Sequence, residues 1–250
     1  MIYLDCESVR STYESISNIF SLEKGSIKRF LHKTDLEEYF LQHDPLDTAN
    51  RVLFELFEKE FSVLPKILDY VCWFHLTRTM KNNKFENGLL PLNKILDFIW
   101  ETLFKIFRDT SHIERLERLR LEGVNDRLYQ LKTSYEYLGG PFGLLIKEIA
   151  FRELRIGNQF LDCPEIIEDI CNGYEKKYNE SIINIAKKAL IPCIVKFKSS
   201  ARLGNDCTSA ALYYLYKIDH KEELSIDCNT CFDGGGYLVP AKDIIKIEFL

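Results

Sequence analysis

The spacing of apolar and polar residues divides the chain into a helical opening stretch and a longer mixture of strands and helices. Residues 1–70 follow helical periodicity. Ile27, Phe30 and Leu31 form one apolar stripe, and Val52, Leu53, Leu56 and Phe57 form another behind a start at Asp47 and Thr48. Thr34-Asp35-Leu36-Glu37 reads as a capping box, in which a hydroxyl and a carboxylate satisfy the free backbone donors of a helix start. The pattern changes at Tyr70-Val71-Cys72-Trp73-Phe74. This short aromatic and β-branched run predicts a buried strand that continues into His75–Thr79.

Residues 93–108 predict a helix. Its apolar positions, among them Ile95, Phe98, Ile99, Trp100 and Leu103, cover more than one stripe, so it is expected to be central. Residues 112–137 are charged and helical, with Ile113, Leu116 and Leu119 as a narrow seam. The glycines between Gly139 and Gly143 break the chain, and a further helix is expected from Leu144 to about Arg155. Ile156–Leu161 reads as a strand. Asp162 then caps a helix that carries Pro164 near its start and ends about Gly173. Pro192–Lys198 predicts a strand and Thr208–Lys217 a helix. Cys231–Asp233, Tyr237–Val239 and Ile244–Phe249 predict strands around the Gly234–Gly236 turn.

Composition adds a sizeable core. Of 250 residues, 46% are hydrophobic, and the 17 Phe and 13 Tyr supply large buried areas. The formal net charge of -5 argues against a protein that binds nucleic acid mainly by neutralising phosphates. The most basic stretch is Lys187, Lys188, Lys196, Lys198 and Arg202, read as a solvated face. The two short helices before residue 60 lack a basic recognition helix, so they read as a small bundle rather than a helix-turn-helix.

The first ten residues contain Asp5 and Glu7 and no apolar core of a secretory signal. No apolar run reaches the length of about 18 residues needed for a membrane span. A cytoplasmic protein with reduced thiols is therefore expected, with no membrane partner. Cys228 and Cys231 have the two-residue spacing of half a zinc site or of a redox pair, but no second Cys/His pair lies nearby, and no metal is expected.

His75-x-Thr77 followed by Phe85-x-x-Gly88-Leu89 resembles the first strand and helix of ADP-ribosyltransferases. Gly157-x-x-Phe160-x-x-x-Pro164-Glu165-x-Ile167 is similar to the family's aromatic strand and the helix after it. Gly236-Tyr237-Leu238-Val239-Pro240, then Asp243 through Glu248, is similar to its final strands. The resemblance covers roughly residues 70–250. It implies an α+β fold with a mixed split β-sheet and a helical insertion at about 93–155, preceded by a helical region, 1–69, packed on it.

The resemblance also implies cleavage of the N-glycosidic bond of NAD, the substrate, through an oxocarbenium-like transition state. The ADP-ribosyl acceptor would be a protein or a nucleic acid, in a toxin or phage-defence setting. His75 would hold the ribose by donating from its imidazole, beside Thr77. Arg78 would pair with the pyrophosphate, or else serve as a surface or capping arginine. Phe160 or Tyr237 would stack on a ring, and Asp233 or Glu248 would supply negative charge. The family's usual Tyr is Phe160 here, and its usual Glu falls near Gly235 or Gly236. Those two departures support an alternative, a catalytically silent binding module on the same scaffold. A further alternative is a nucleic-acid-processing enzyme built on His75, Arg78 and the basic stretch.

Overall fold

The computed structural model describes residues 1–43, 46–135, 139–151, 160–201, 204–224 and 228–250. The chain is α+β, with six strands and ten α-helices among the described residues. The strands are β1 (Tyr3–Leu4), β2 (Tyr70–Thr79), β3 (Phe142–Leu144), β4 (Ile191–Ser199), β5 (Cys231–Asp233) and β6 (Ile244–Phe249). Their order is β5-β3-β2-β4-β6, with β1 parallel to β2 so that Tyr3 faces Tyr70, and β3 antiparallel to β2 with Phe74 opposite Leu144. No described helix is long and apolar enough to cross a membrane.

The chain forms two compact units, each discontinuous in sequence, and Phe74 and His75 of β2 fall on either side of the division. The first unit takes Met1–Phe74, Gly143–Arg155 and Phe197–Phe232. Its helices are α1 (Val9–Phe20), α2 (Lys24–Lys33), α3 (Leu36–His43), α4 (Ala49–Phe61) and α10 (Asn205–Asp219). Helix α10 is buried along most of its length and packs on α4, α1 and α2. The expected stripe on α4 is buried at Val52, Leu53 and Phe57, and Phe57 meets Phe20 and Phe30 edge to face.

The cap of α3 falls one residue later than expected. Thr34 ends α2, its hydroxyl donating to the Phe30 carbonyl, and Asp35 Oδ1 accepts from Glu38 N at 2.8 Å. The helix expected from Leu144 is replaced by β3 and a 3-10 turn over Lys147–Phe151. Two features explain the difference. A Cβ on Gly143 would stand 3.1 Å from the Phe197 ring and 3.2 Å from Trp73 Cβ, so glycine lets this strand lie close to its neighbours. The Leu145 amide donates to Thr230 O and Asn229 Oδ1, which satisfies it outside a helix.

The second unit takes His75–Phe142, Ile156–Lys196 and Asp233–Leu250. Its helices are α5 (Leu92–Phe107), α6 (Ile113–Glu122), α7 (Arg127–Ser134), α8 (Glu165–Tyr178) and α9 (Ile183–Ala189). Trp100, Leu103 and Phe107 of α5 join Leu116, Leu119, Ile170 and Tyr174 in one core. The helical stretch expected over 112–137, of which residues 136 and 137 lie outside the described residues, forms two helices. The break lies at Gly123, with φ +92°, and Asp126 caps α7 by accepting from Leu128 N and Tyr129 N. Helix α8 does not end at Gly173. A Cβ there would stand 2.4 Å from Val124 Cγ1, so this glycine serves helix packing, and the left-handed Asn179 closes the helix.

Of the strand expected over 156–161, residues 156–159 lie outside the described residues, and Phe160 and Leu161 form a turn. Tyr237–Val239 is not a strand; Val239 makes only an isolated bridge to Leu89.

Candidate functional site

Within the second unit, the end of β2 opens onto a cavity of about 100 Å³. Its polar wall is His75, Thr77, Arg78, Thr79 and Asn83, with Thr102 from α5. Its apolar wall includes Ile95, Phe98 and Ile99 of α5 and Ile167 of α8. This wall accounts for the breadth of the apolar pattern on α5. One face, with Trp100, Leu103 and Phe107, enters the core; a second lines the cavity, where Phe98 is 53% exposed. The loop after β2 is shaped by Asn83, which donates to Thr79 Oγ1 and accepts from Phe85 N. It closes at Gly88, whose φ is +79° and whose neighbour Leu89 exchanges two backbone hydrogen bonds with Val239.

His75 carries the most specific chemistry of the wall. Its Nδ1 lies 2.7 Å from the Phe142 carbonyl oxygen. A carbonyl only accepts, so Nδ1 holds the proton and donates. The ring keeps some accessible surface where it lines the cavity, while protein surrounds it on the other sides, and this burial lowers its pKa below the ordinary 6.5. At neutral pH the imidazole is therefore uncharged, and Nε2 is an acceptor. This reverses the expected polarity: His75 offers a lone pair where a donor to ribose was anticipated.

Arg78 is committed to the fold. Its Nη1 donates to Leu161 O at 2.8 Å, and its Nη2 to Lys187 O at 2.7 Å and Leu190 O at 2.8 Å. Lys187 and Leu190 sit at the C-terminal end of α9, where the helix dipole favours a cation. Its buried Nε has no hydrogen-bond partner. Three of the four terminal N–H bonds are thus taken, so a two-pronged grip on pyrophosphate through Nη1 and Nη2 would require displacing a carbonyl.

The other anticipated residues are placed differently. Phe160 lies in a turn beside the Leu161 carbonyl that Arg78 holds, and Gly157 lies outside the described residues. Asp233 accepts from Gly235 N at 2.8 Å and so shapes the glycine turn. Tyr237 is 80% exposed. Glu248 lies on β6 with Lys246 Nζ at 3.2 Å. None of these four lines the cavity, and among the described residues no carboxylate does. Main-chain segments do converge. Gly234 N and Gly236 N donate to the carbonyls of Pro141 and Gly140, next to the Phe142 carbonyl that holds His75.

The basic stretch is dispersed. Lys187 pairs with Asp162, Lys196 is buried, and Arg202 lies outside the described residues. Cys228 is buried and Cys231 exposed, and no group of three metal-ligating side chains occurs among the described residues. Burial pushes the thiols of Cys163 and Cys171 in α8 and its approach up to about 11 and about 12, so neither is a thiolate at neutral pH. Cavity residues that the sequence did not single out are Asn83 and Thr102, together with the α5 face, for which the over-wide apolar stripe was the available signal. Comparisons of the chain with protein-family models, with curated proteins and with solved structures return no match.

Proposed function

We propose that the chain is a binding module whose cavity accepts a small, uncharged group bearing an N–H or O–H donor. The observation that carries this reading is the Nδ1–H bond from His75 to Phe142 O, which leaves Nε2 as a neutral acceptor on a ring that lines a mostly apolar cavity. Size limits the occupant. An apolar cavity of about 150 Å³ holds benzene, so about 100 Å³ encloses the carboxamide or hydroxyl end of a ligand, with any ring lying toward the exposed Phe98, rather than a whole dinucleotide. Threonine hydroxyls and Asn83 can add neutral hydrogen bonds, and an entering carboxylate would find Nε2 offering no proton.

Calorimetric titration with nicotinamide and, as the charged control, nicotinate tests this. Nicotinamide is expected to bind, and nicotinate at least about tenfold more weakly, since an anion facing a lone pair loses a hydrogen bond worth ~1.4 kcal/mol or more. His75→Ala is expected to weaken nicotinamide by a similar factor. Affinity should also fall as pH drops through the lowered pKa of His75, because protonation removes the acceptor. Equal affinity for the acid and the amide would refute the reading.

A second reading, an NAD-consuming transferase, is supported by the convergence of the His75, Leu161 and Gly234–Gly236 segments through Arg78 and residues 140–142. Release of nicotinamide from NAD by the purified protein, lost in His75→Ala, would favour it over a silent module.

A further inference from the structure

A second concavity lies in the first unit and shares no lining residue with the cavity at His75. It is an open groove of about 300 Å³, walled by β1, one side of α1 and the start of α2. Ile16, Ile19 and Phe20 carry α1 into the core, while Glu14, Ser15 and Asn18, within little more than one helical turn, line the groove. The walls are held in place. Asp5 N donates to Ser15 Oγ at 3.0 Å, Ser17 Oγ donates to Leu22 O, and Lys24 Nζ reaches back to Glu14 Oε1 at 3.0 Å. The Tyr3 ring lies on Tyr70, with centroids 5.1 Å apart and planes within 4°, and Tyr3 is 40% exposed.

What these bonds leave over defines the ligand. Ser15 is 4% exposed and its Oγ already accepts, so its O–H is a donor that finds no acceptor among the described residues. Glu14 Oε1 takes both Arg10 Nε and Lys24 Nζ, which leaves Oε2 as an acceptor. Lys24 keeps further N–H groups, and the exposed Asn18 amide, with no hydrogen-bond partner among the described residues, offers a donor and an acceptor together. Asp5 and Glu14 stand against Arg10 and Lys24, so the wall carries no net charge, and a charged ligand gains from one sign what it loses to the other.

We infer that the groove binds a neutral pyranose sugar, free or at the end of a chain. Each sugar hydroxyl both donates and accepts, which matches the mixed set at Glu14, Ser15, Asn18 and Lys24. The C–H face of the ring suits the flat side chain of Tyr3. The groove has about twice the volume of a cavity that holds benzene, enough for one six-membered ring with its hydroxyls.

Few contacts in an open groove give weak binding, with Kd in the range of about 1–10 mM. The test titrates the ¹⁵N-labelled full chain with the methyl α-glycosides of glucose, mannose and galactose, following the Asn18 side-chain amide. At least one is expected to bind and to shift that resonance. Asn18→Ala and Tyr3→Leu, both at exposed positions, should each weaken it about fivefold or more, with the remaining amide spectrum verifying the fold. The α-linked disaccharide of the glycoside that binds separates the two sources: comparable affinity marks a chain end, and a loss of about tenfold or more a free sugar. Silence from all three glycosides at ~50 mM, or binding that neither variant weakens, would overturn the inference. So would glucosamine or glucuronate binding about tenfold more tightly than the best neutral glycoside.

Discussion

Arg78→Met is expected to lower the unfolding free energy by about 3 kcal/mol, measured by denaturant titration. Three carbonyls, those of Leu161, Lys187 and Leu190, lose a charged donor at once. A hydrogen bond to a charged group contributes about 1.5–3 kcal/mol, and a carbonyl left unpaired in the interior costs about 1–3 kcal/mol. The simple sum is larger, but Arg78 is half-buried, and water can reach part of the vacated space. Its unpartnered Nε offsets a little more. Methionine keeps most of the apolar stem, so the loss reports the guanidinium rather than a cavity. Arg78→Lys is expected to recover less than half of the deficit, because a single ammonium cannot reproduce a planar fork aimed at three acceptors. Recovery to wild-type stability by lysine would show that charge alone matters.

Gly88→Ala is expected to cost about 2–4 kcal/mol and to abolish binding in the cavity. At φ +79° an alanine is strained by about 1 kcal/mol. The larger effect is collision: the added Cβ would stand 2.1 Å from Val239 O, an atom of the backbone that cannot rotate aside. Relief requires the Leu89–Val239 bridge to open, and Gly88 and Leu89 both line the cavity. Gly235→Ala isolates the conformational part. Its φ is also positive, at +56°, but a Cβ there meets nothing within 4 Å, so about 1 kcal/mol is expected. Comparable losses at the two positions would mean that the contact with Val239 contributes little.

The regular elements were the legible part of the fold. Pro192–Lys198 and Thr208–Lys217 lie inside β4 and α10, because each combines a clear period with burial that enforces it. Elements that depend on distant chain were hidden. β3 needs a glycine fitted against Phe197 and Trp73, and a local reading of Leu144 onward sees only helical spacing. Gly173 looked like a helix end, since in sequence a packing glycine and a terminating one are the same letter; Val124 decides between them.

The site was legible in part. His75, Thr77 and Arg78 do share one cavity, as strand-end residues of β2. The polarity of His75 was not readable, because it is set by Phe142, which lies 67 positions away. The carbonyls that occupy Arg78 lie farther still along the chain. Asp233, Tyr237 and Glu248 sit where the local turn and strand place them, and nothing in their own neighbourhoods directs them to the cavity.

The most direct test is the ¹⁵N spectrum of the His75 ring at neutral pH during a titration with nicotinamide. A protonated Nδ1 and a bare Nε2 are expected beforehand, with the Nε2 resonance alone shifting as the amide binds. A ring protonated at Nε2, or an Nε2 signal unmoved by nicotinamide, would contradict the account.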